Sequence, residues 1–252
     1  MVRLLILAAM FVCAPAHAKK KKRARLTVQE QYELGLKYLK RGMYIKALEQ
    51  FNRVRNYHRD DPHSVKAELA IGDVYFKKAE WDQARLSYED FSRMHPRHPD
   101  LDYVVYQIGM ANFKKAPSAS GRDQTFTRHA LTSWTGFNSR FPESTYIAEV
   151  EGLASECRDR LAVKEVFIAR FYKRRAAWAA VERRAANMLS RYPDSQYTGA
   201  SIELIGEASA WQGNNKEADM AVKRLEADDP KAAEKLAAKL ERIKVKAAKP
   251  GR

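Results

Sequence analysis

The sequence predicts an all-α fold in which about five helix pairs stack into a superhelical solenoid. Two observations favour this class: the composition of the chain, and a recurrence of small and large apolar residues at intervals of 37 residues. Of 252 residues only 11 are Gly and 9 are Pro, while Ala, Leu, Glu, Lys and Arg are abundant. These proportions are typical of helices, and a hydrophobic content of 45% is enough for a continuous core.

Residues 1–18 have the pattern of a secretory signal peptide, so we expect the chain to leave the cytoplasm. Arg3 provides the positive start, residues 4–14 the apolar stretch, and residues 16–18 the small-x-small cleavage site. No later stretch approaches the roughly 20 apolar residues that a membrane-spanning helix needs.

Cys13 gives the signal a second interpretation, because lipoprotein signals end at the cysteine that receives the lipid. Those signals place a small residue before the cysteine, and Val12 fits that position poorly. Cleavage after Ala18 would discard Cys13 and leave Cys157 as the one thiol. The sequence leaves the lipid anchor open, and we expect Cys157 to be an ordinary buried helix residue.

The net charge of +15 is concentrated at the two ends of the chain. Residues 19–25 form a basic N-terminal segment and residues 231–252 a basic C-terminal helix and tail, whereas residues 26–230 are almost neutral. A neutral body argues against nucleic acid as a partner. The basic ends are typical of solvated tails, and their alternative role is contact with anionic lipid head groups at a membrane surface.

The repeat places an apolar and a small residue together on the first helix of each pair, then a small and a larger residue on the second. Small residues let two antiparallel helices approach, and large ones fill the gap between them. The anchors Leu34, Ile71, Ile108, Ile168 and Ile205 are separated by 37, 37, 60 and 37 residues. The sets that follow this rule are Gly35, Tyr38, Ala47 and Phe51; Gly72, Tyr75, Ala84 and Tyr88; Gly109, Ala130 and Trp134; Ala169, Tyr172, Val181 and Ala185; and Gly206, Ser209, Ala218 and Val222.

This recurrence resembles the tetratricopeptide pattern, whose usual period is about 34 residues. A proline after each set is expected to close the second helix; these are Pro62, Pro96, Pro142, Pro193 and Pro230.

The 60-residue step predicts two departures from the regular repeat. Residues 116–121 are small, turn-forming residues with a proline, and we expect a loop there. Residues 144–163 are predicted as an extra helical stretch leading into the fourth pair. The chain would then divide into an N-terminal half, residues 26–142, and a C-terminal half, residues 143–230, followed by a closing helix.

The segments between the repeats are more specific than the repeats themselves. Six of them resemble the BamD family, the helical-repeat lipoprotein of the β-barrel assembly machinery of the bacterial outer membrane. They occupy residues 95–106, 122–124, 141–144, 159–162, 177–178 and 191–196. The resemblance implies a non-catalytic scaffold at the periplasmic face of the outer membrane. Its expected partners are the periplasmic domains of the barrel-forming assembly protein, other lipoproteins of the machinery, and unfolded outer-membrane protein precursors.

One departure from the family concerns its anchor, a lipid on the first mature cysteine. This chain has no convincing lipidation site, so either its anchor is atypical, or the basic segment 19–25 and the partner complex retain the protein at the membrane.

Candidate precursor-binding residues are those on the first helices that the repeat does not need for packing, in the N-terminal half. They are Tyr32, Leu36, Leu39, Asp73, Phe76, Lys77, Tyr103, Tyr106 and Phe113. Aromatic side chains contribute much of the energy of protein interfaces, although the same spacing is also typical of core residues. By resemblance, Arg175 and Arg184 in the C-terminal half dock the barrel-forming protein, with a solvated basic face as the alternative.

No set of residues indicates an enzyme, a cofactor or a metal site. His95 and His98 flank Pro96, which denies them a shared helical face, and no phosphate-binding glycine loop occurs. A second function remains open: a periplasmic coordinator of cell-wall synthesis and envelope constriction, built from similar repeats. Such proteins usually carry a coiled coil before the repeats, whereas here the repeats begin just after Arg25.

Overall fold

The computed structural model describes residues 26–248, which form twelve helices and no strand. The helices are α1 (Val28–Lys40), α2 (Tyr44–Tyr57), α3 (Pro62–Lys77), α4 (Trp81–Met94), α5 (Leu101–Lys115), α6 (Thr125–Trp134), α7 (Phe137–Arg140), α8 (Ile147–Lys173), α9 (Trp178–Arg191), α10 (Thr198–Trp211), α11 (Asn215–Glu226) and α12 (Pro230–Ala247). The expected signal peptide, the basic segment 19–25, Cys13 and the last four residues lie outside the described range. Within that range no helix is long and apolar enough to cross a membrane.

Five antiparallel pairs stack in chain order, which confirms the predicted all-α tetratricopeptide-like solenoid. The pairs are α1 with α2, α3 with α4, α5 with α6, α8 with α9, and α10 with α11. First helices of neighbouring pairs also touch, as α1 touches α3 and α8 touches α10. The first helices therefore line one side of the solenoid, called the inner wall below.

The glycines of the repeat lie where large rings approach the first helix. A Cβ atom added to Gly35 would come within 2.5 Å of the Phe51 ring. Gly109 lies against Trp134 in the same way, and the Trp134 indole N–H donates a 3.2 Å hydrogen bond to the backbone oxygen of Tyr106. The small–large pairing predicted from the spacing is thus a close contact in each of the first three pairs, whereas Gly206 in the last pair lies against Ala221 and Leu236 instead of the predicted Val222.

The helix starts explain where the prolines lie. Thr27 and Glu30 form a capping box at the start of α1. We expected Pro62 and Pro230 to close the preceding helix. Instead they occupy the first position of α3 and α12. A proline is tolerated there because the first N–H groups of a helix have no partner within the helix. The Asp61 and Asp229 side chains cap these two helices.

The expected extra helix and the first helix of the fourth pair form one helix of 27 residues, α8. Its first part packs Val150 and Cys157 into the core of the third pair. Its second part packs Val166 and Ala169 into the C-terminal core. One unbroken helix therefore joins the two halves. Cys157 is buried as expected, and burial raises the pKa of its thiol to about 12.

Helix α12 closes the C-terminal end of the stack. Its buried residues Ala233, Leu236, Leu240 and Ile243 pack against α10 and α11. The predicted loop is also present, between α5 and α6. Gln124 fastens it, because the buried side-chain amide of Gln124 donates to the backbone oxygens of Pro117 and Ala119.

Candidate functional site

Asp73 is the centre of a hydrogen-bond network on the inner wall. Its Oδ1 accepts 2.7 Å hydrogen bonds from the hydroxyls of both Tyr88 and Tyr103. Burial raises the pKa of the Asp73 carboxyl, and it also raises the pKa values of the two phenols. Because the three residues come from α3, α4 and α5, the network joins the second and third pairs. Asp73 and Tyr103 thus have a structural role in addition to any contact with a ligand.

Tyr106 is a core residue, which corrects the expectation that it is free to meet a ligand. Only 8% of it is exposed, and its ring stacks on Tyr146 with centroids 4.7 Å apart. Its hydroxyl donates a 2.7 Å hydrogen bond to Glu149 on α8. The aromatic spacing on α5 could not distinguish the two roles, because the partner residues come from another helix.

Tyr32, Leu39 and Phe113 are half-buried and take part in packing. The Tyr32 ring lies 5.6 Å from the Phe51 ring. Leu39 packs against the core formed by α1, α2 and α3. The Arg160 guanidinium covers Phe113 at 4.3 Å from its ring centroid. Each residue offers at most part of one side chain to a ligand.

Leu36 and Lys77 are the precursor-binding candidates with exposed side chains. Leu36 on α1 is 40% exposed, and Lys77 at the end of α3 is exposed. Phe76 is half-buried and makes an edge contact with Trp81 at 5.1 Å. Leu36 and Lys77 are therefore available to a ligand, whereas Phe76 also packs against the core around Tyr88 and offers only part of its ring.

Arg175 belongs to an exposed aromatic surface at the C-terminal end of α8. Its guanidinium lies 3.6 Å from the centroid of the Phe171 ring. Phe171 and Phe167 are 38% and 45% exposed, although α8 is otherwise packed into two cores. We call Phe167, Phe171 and Arg175 the α8 ridge. Neither phenylalanine was predicted as a site residue from the sequence. Their spacing of four residues on a helix, away from Val166 and Ala169, was the signal that could have indicated a shared exposed face.

The loop before α6 lies beside this ridge. Gly121 approaches the Phe167 ring so closely that an added Cβ would be 3.3 Å from it. Lys164 donates a 3.3 Å hydrogen bond to the backbone oxygen of Arg122. The loop that interrupts the third pair is therefore held against α8, next to the exposed rings.

Arg184 has different surroundings from Arg175. It lies on α9 and pairs with Glu165 on α8, with Nη1 3.2 Å from Oε2. Its Nε atom is buried and makes no hydrogen bond. A change to glutamate would place two carboxylates side by side, so Arg184 is a poor position at which to test docking by charge reversal.

Two of the histidines pair closely with carboxylates. His95 lies 2.6 Å from Glu68, and His63 lies 2.8 Å from Asp61. Among residues 26–248 no group of three or more His, Cys, Asp or Glu side chains could hold a metal ion. A cavity of about 450 Å³ lies between α6, α7 and α8, and its walls include Phe137 and Ile147.

A stack of helix pairs with an accessible inner wall and an exposed aromatic ridge defines a helical-repeat protein of the tetratricopeptide type. The chain belongs to the YfiO family, described as outer membrane lipoprotein, whose sequence model matches residues 25–225. This match confirms the resemblance to the BamD family that the inter-repeat segments indicated.

Curated relatives carry the name outer membrane protein assembly factor BamD. The protein from Neisseria meningitidis serogroup A is 26% identical over 82% of this chain and 80% of its own length. The protein from Xylella fastidiosa strain 9a5c is 26% identical over 90% of this chain and 81% of its own. Among solved structures, the TPR2AB domain of yeast Sti1 in complex with an HSP90 peptide has a TM-score of 0.46 and 13% identity, covering 88% of this chain and 98% of that one. Since the relatives are named as assembly factors, the expectation of a scaffold without catalytic activity is confirmed.

Proposed function

We propose that the chain is a scaffold of outer-membrane protein assembly, located at the periplasmic face of the outer membrane, and that it works by holding other polypeptides. The observation that carries the proposal is the α8 ridge. Two phenylalanines remain exposed on a helix whose other large apolar residues are buried or half-buried, and an arginine stacks on one of them. Clustered exposed apolar side chains with an arginine are typical of protein–protein interfaces.

The partner proposed for the α8 ridge is the barrel-forming assembly protein, through its periplasmic domains. Stacking on Phe171 holds the Arg175 guanidinium in place, so that it can meet a carboxylate of the partner with little loss of side-chain entropy. The two phenylalanine rings would supply the apolar contact area. Arg184 is not part of this surface: it pairs with Glu165 and joins α9 to α8.

The ligand proposed for the inner wall is an unfolded outer-membrane protein precursor. Leu36, Phe76 and Lys77 offer apolar surface and one positive charge to an extended chain. Tyr32, Phe113 and Tyr103 contribute the parts of their rings that packing leaves accessible, and Leu39 contributes little. Other lipoproteins of the assembly machinery are further proposed partners, without an assigned surface.

Co-purification from envelope extracts tests the docking proposal. We expect Arg175→Glu to reduce recovery of the barrel-forming protein at least tenfold, because a carboxylate replaces the stacked guanidinium. Arg97→Glu is the matched control, since Arg97 is also an exposed arginine in a turn but lies in the other half of the chain. Equal recovery with both variants would contradict the role of the ridge. Recovery of a cell-wall synthase instead of the barrel-forming protein would favour the second function considered above.

Site-specific photocrosslinking tests the inner wall. A photoreactive residue at Leu36 is expected to crosslink to a denatured barrel precursor, and one at Ile45 is not. Ile45 is the control because it is more exposed, at 77%, but lies on the second helix of the same pair. Crosslinking that is equal at the two positions, or stronger at Ile45, would show that the inner wall is not the binding surface.

A further inference from the structure

Helix α12 carries a feature that neither the repeat nor the family match explains. The family match ends at residue 225, and α12 begins at Pro230. One face of the helix is buried and closes the solenoid. The opposite face carries four exposed basic residues: Lys231, Lys235, Arg242 and Lys246. We call these four residues the basic stripe.

The basic stripe is a straight row along the helix. At 3.6 residues per turn, its four positions fall within a sector of about 60°, and the row is about 22 Å long. The two acidic residues of α12, Glu234 and Glu241, project to one side of this sector. The exposed residues beside the row include Ala238 and Val245, which carry no charge. The row therefore presents a single sign of charge.

The four side chains make no ion pair or hydrogen bond with any described residue. The other two lysines of α12 differ in this respect. Lys239 lies 2.5 Å from Glu207, and Lys244 lies 2.9 Å from Asp219. Because α12 binds the solenoid through its apolar face and these two pairs, the stripe is not needed to hold the helix in place.

We propose that the basic stripe binds the anionic phospholipid head groups of a membrane surface. Four cations on one helix face are the pattern of a lipid-binding helix, and each contributes a modest attraction near an anionic surface. Three of the four are lysines, which suit a diffuse layer of charge, whereas docking to one protein partner favours arginine and aromatic residues. No aromatic side chain accompanies the stripe on α12.

The contact would be electrostatic, without insertion into the bilayer. Interfacial helices enter a membrane with their apolar face. Here Leu236, Leu240 and Ile243 are already buried against α10 and α11. The attraction therefore depends on screening by salt, and it would orient the C-terminal end of the solenoid toward the membrane.

Vesicle sedimentation with the mature full-length protein tests the inference. The probe is phosphatidylcholine vesicles with and without phosphatidylglycerol, at about 0.05 M and about 0.5 M salt. The test variant replaces all four residues of the basic stripe by glutamine. The control variant removes the same charges from exposed positions on four other elements, with Lys40→Gln, Lys66→Gln, Arg97→Gln and Lys216→Gln. Circular dichroism verifies that both variants keep the helix content.

We expect the wild type and the control to bind the anionic vesicles at low salt and to dissociate at high salt. Each cation near an anionic surface should raise the partition coefficient onto the vesicles roughly fivefold. The test variant, which lacks four cations, should therefore bind several-hundred-fold more weakly. Equal loss in both variants, or none in either, overturns the inference, as does equal binding to neutral vesicles. Binding that depends on the stripe with polyglutamate but not with vesicles would assign it to an acidic polypeptide, and overturns the lipid proposal too.

Discussion

Gly72 lies against the ring of Tyr88, and a Cβ atom at position 72 would come within 2.6 Å of that ring. The hydroxyl of the same ring donates a 2.7 Å hydrogen bond to Asp73. Tyr88 is fully buried, so the ring is held at its edge and at its hydroxyl and has little room to move. The close approach of α3 and α4 therefore requires glycine at position 72, because a side chain there would collide with the Tyr88 ring.

Replacing Gly72 by alanine is expected to destabilise the chain by about 1 to 3 kcal/mol, because the methyl group overpacks the contact with Tyr88. The free energy of unfolding is measured by urea denaturation followed by circular dichroism. Gly152→Ala is the matched control, since Gly152 lies on α8 with no atom within 4 Å of its added Cβ. That variant should gain about 0.5 to 1 kcal/mol from reduced backbone entropy. Equal effects at the two positions would refute the packing argument.

Ala176 adopts a left-handed backbone conformation, with φ of 53°, in the turn between α8 and α9. The turns of the first and last pairs use Gly42 and Gly213 for the same conformation. Ala176→Gly is expected to stabilise the chain by about 1 kcal/mol, because glycine has no Cβ to strain. The midpoint of urea denaturation measures this gain. At Ala177, where φ is −83°, glycine should lower stability slightly instead, so a gain at both positions would count against the explanation.

Glu207 is a carboxylate that is only 3% exposed and lies between two lysines from different helices. Lys173 on α8 is 2.6 Å away and Lys239 on α12 is 2.5 Å away. Changing either lysine to methionine is expected to cost about 1 kcal/mol, because the other cation remains. Changing both leaves a buried charge without a partner and should cost about 3 to 5 kcal/mol.

A double-mutant cycle by urea denaturation measures this coupling. Amide hydrogen exchange of α12 gives an independent readout, because the Lys239 variant loses the ion pair between α12 and Glu207 on α10 and α12 should then exchange faster. Additive costs for the two substitutions would mean that Glu207 is solvated after the first one, and would contradict the argument.

The raised pKa of the Asp73 carboxyl predicts that the stability of the chain depends on pH. Burial raises the pKa of its carboxyl in the folded state above the unfolded value, so the folded chain holds the proton more tightly. The stability that Asp73 contributes is therefore fully present below the unfolded pKa and is lost as the pH rises through the folded pKa. Asp73→Asn has no proton to lose. The stability of the wild type relative to this variant should fall as the pH rises above about 4, the ordinary pKa of an aspartate, as measured by urea denaturation at each pH.

A relative stability that rises over the same range would mean that the tyrosine hydrogen bonds to Asp73 outweigh its burial. Asp61→Asn is a useful comparison, because hydrogen bonds from His63 lower the pKa of the Asp61 carboxyl. Its effect should have the opposite sign, with wild-type stability gained as the pH rises.

The helix pairs were predictable because their spacing depends on contacts within one repeat. Gly35 and Phe51 lie 16 positions apart, and the same pairing recurs at Gly72 and Tyr88. The positions of the prolines were not fully predictable, because Pro62 and Pro230 suit the start of a helix as well as the end of the previous one. Likewise, α8 is one continuous helix because its first part packs into the core of the third pair and its second part into the C-terminal core. The sequence does not show that these two cores are adjacent.

The candidate site was predictable in part. Arg175 is accessible, whereas Arg184 is committed to Glu165, and both look alike in the sequence. Phe167 and Phe171 were overlooked because an aromatic residue at helical spacing is typical of a core. Both rings are exposed because no helix within residues 26–248 packs over that side of α8.

The sequence alone determined the all-α class and the five pairs, since both rest on residue types at regular intervals. It also indicated the loop before α6 and the family, through the residues of individual segments. The tertiary structure alone decided which side chains remain free. Tyr106 is buried by Tyr146 and Glu149, while the basic stripe of α12 faces outward. Exposure is set by neighbours from other repeats, and periodicity within one repeat carries no information about them.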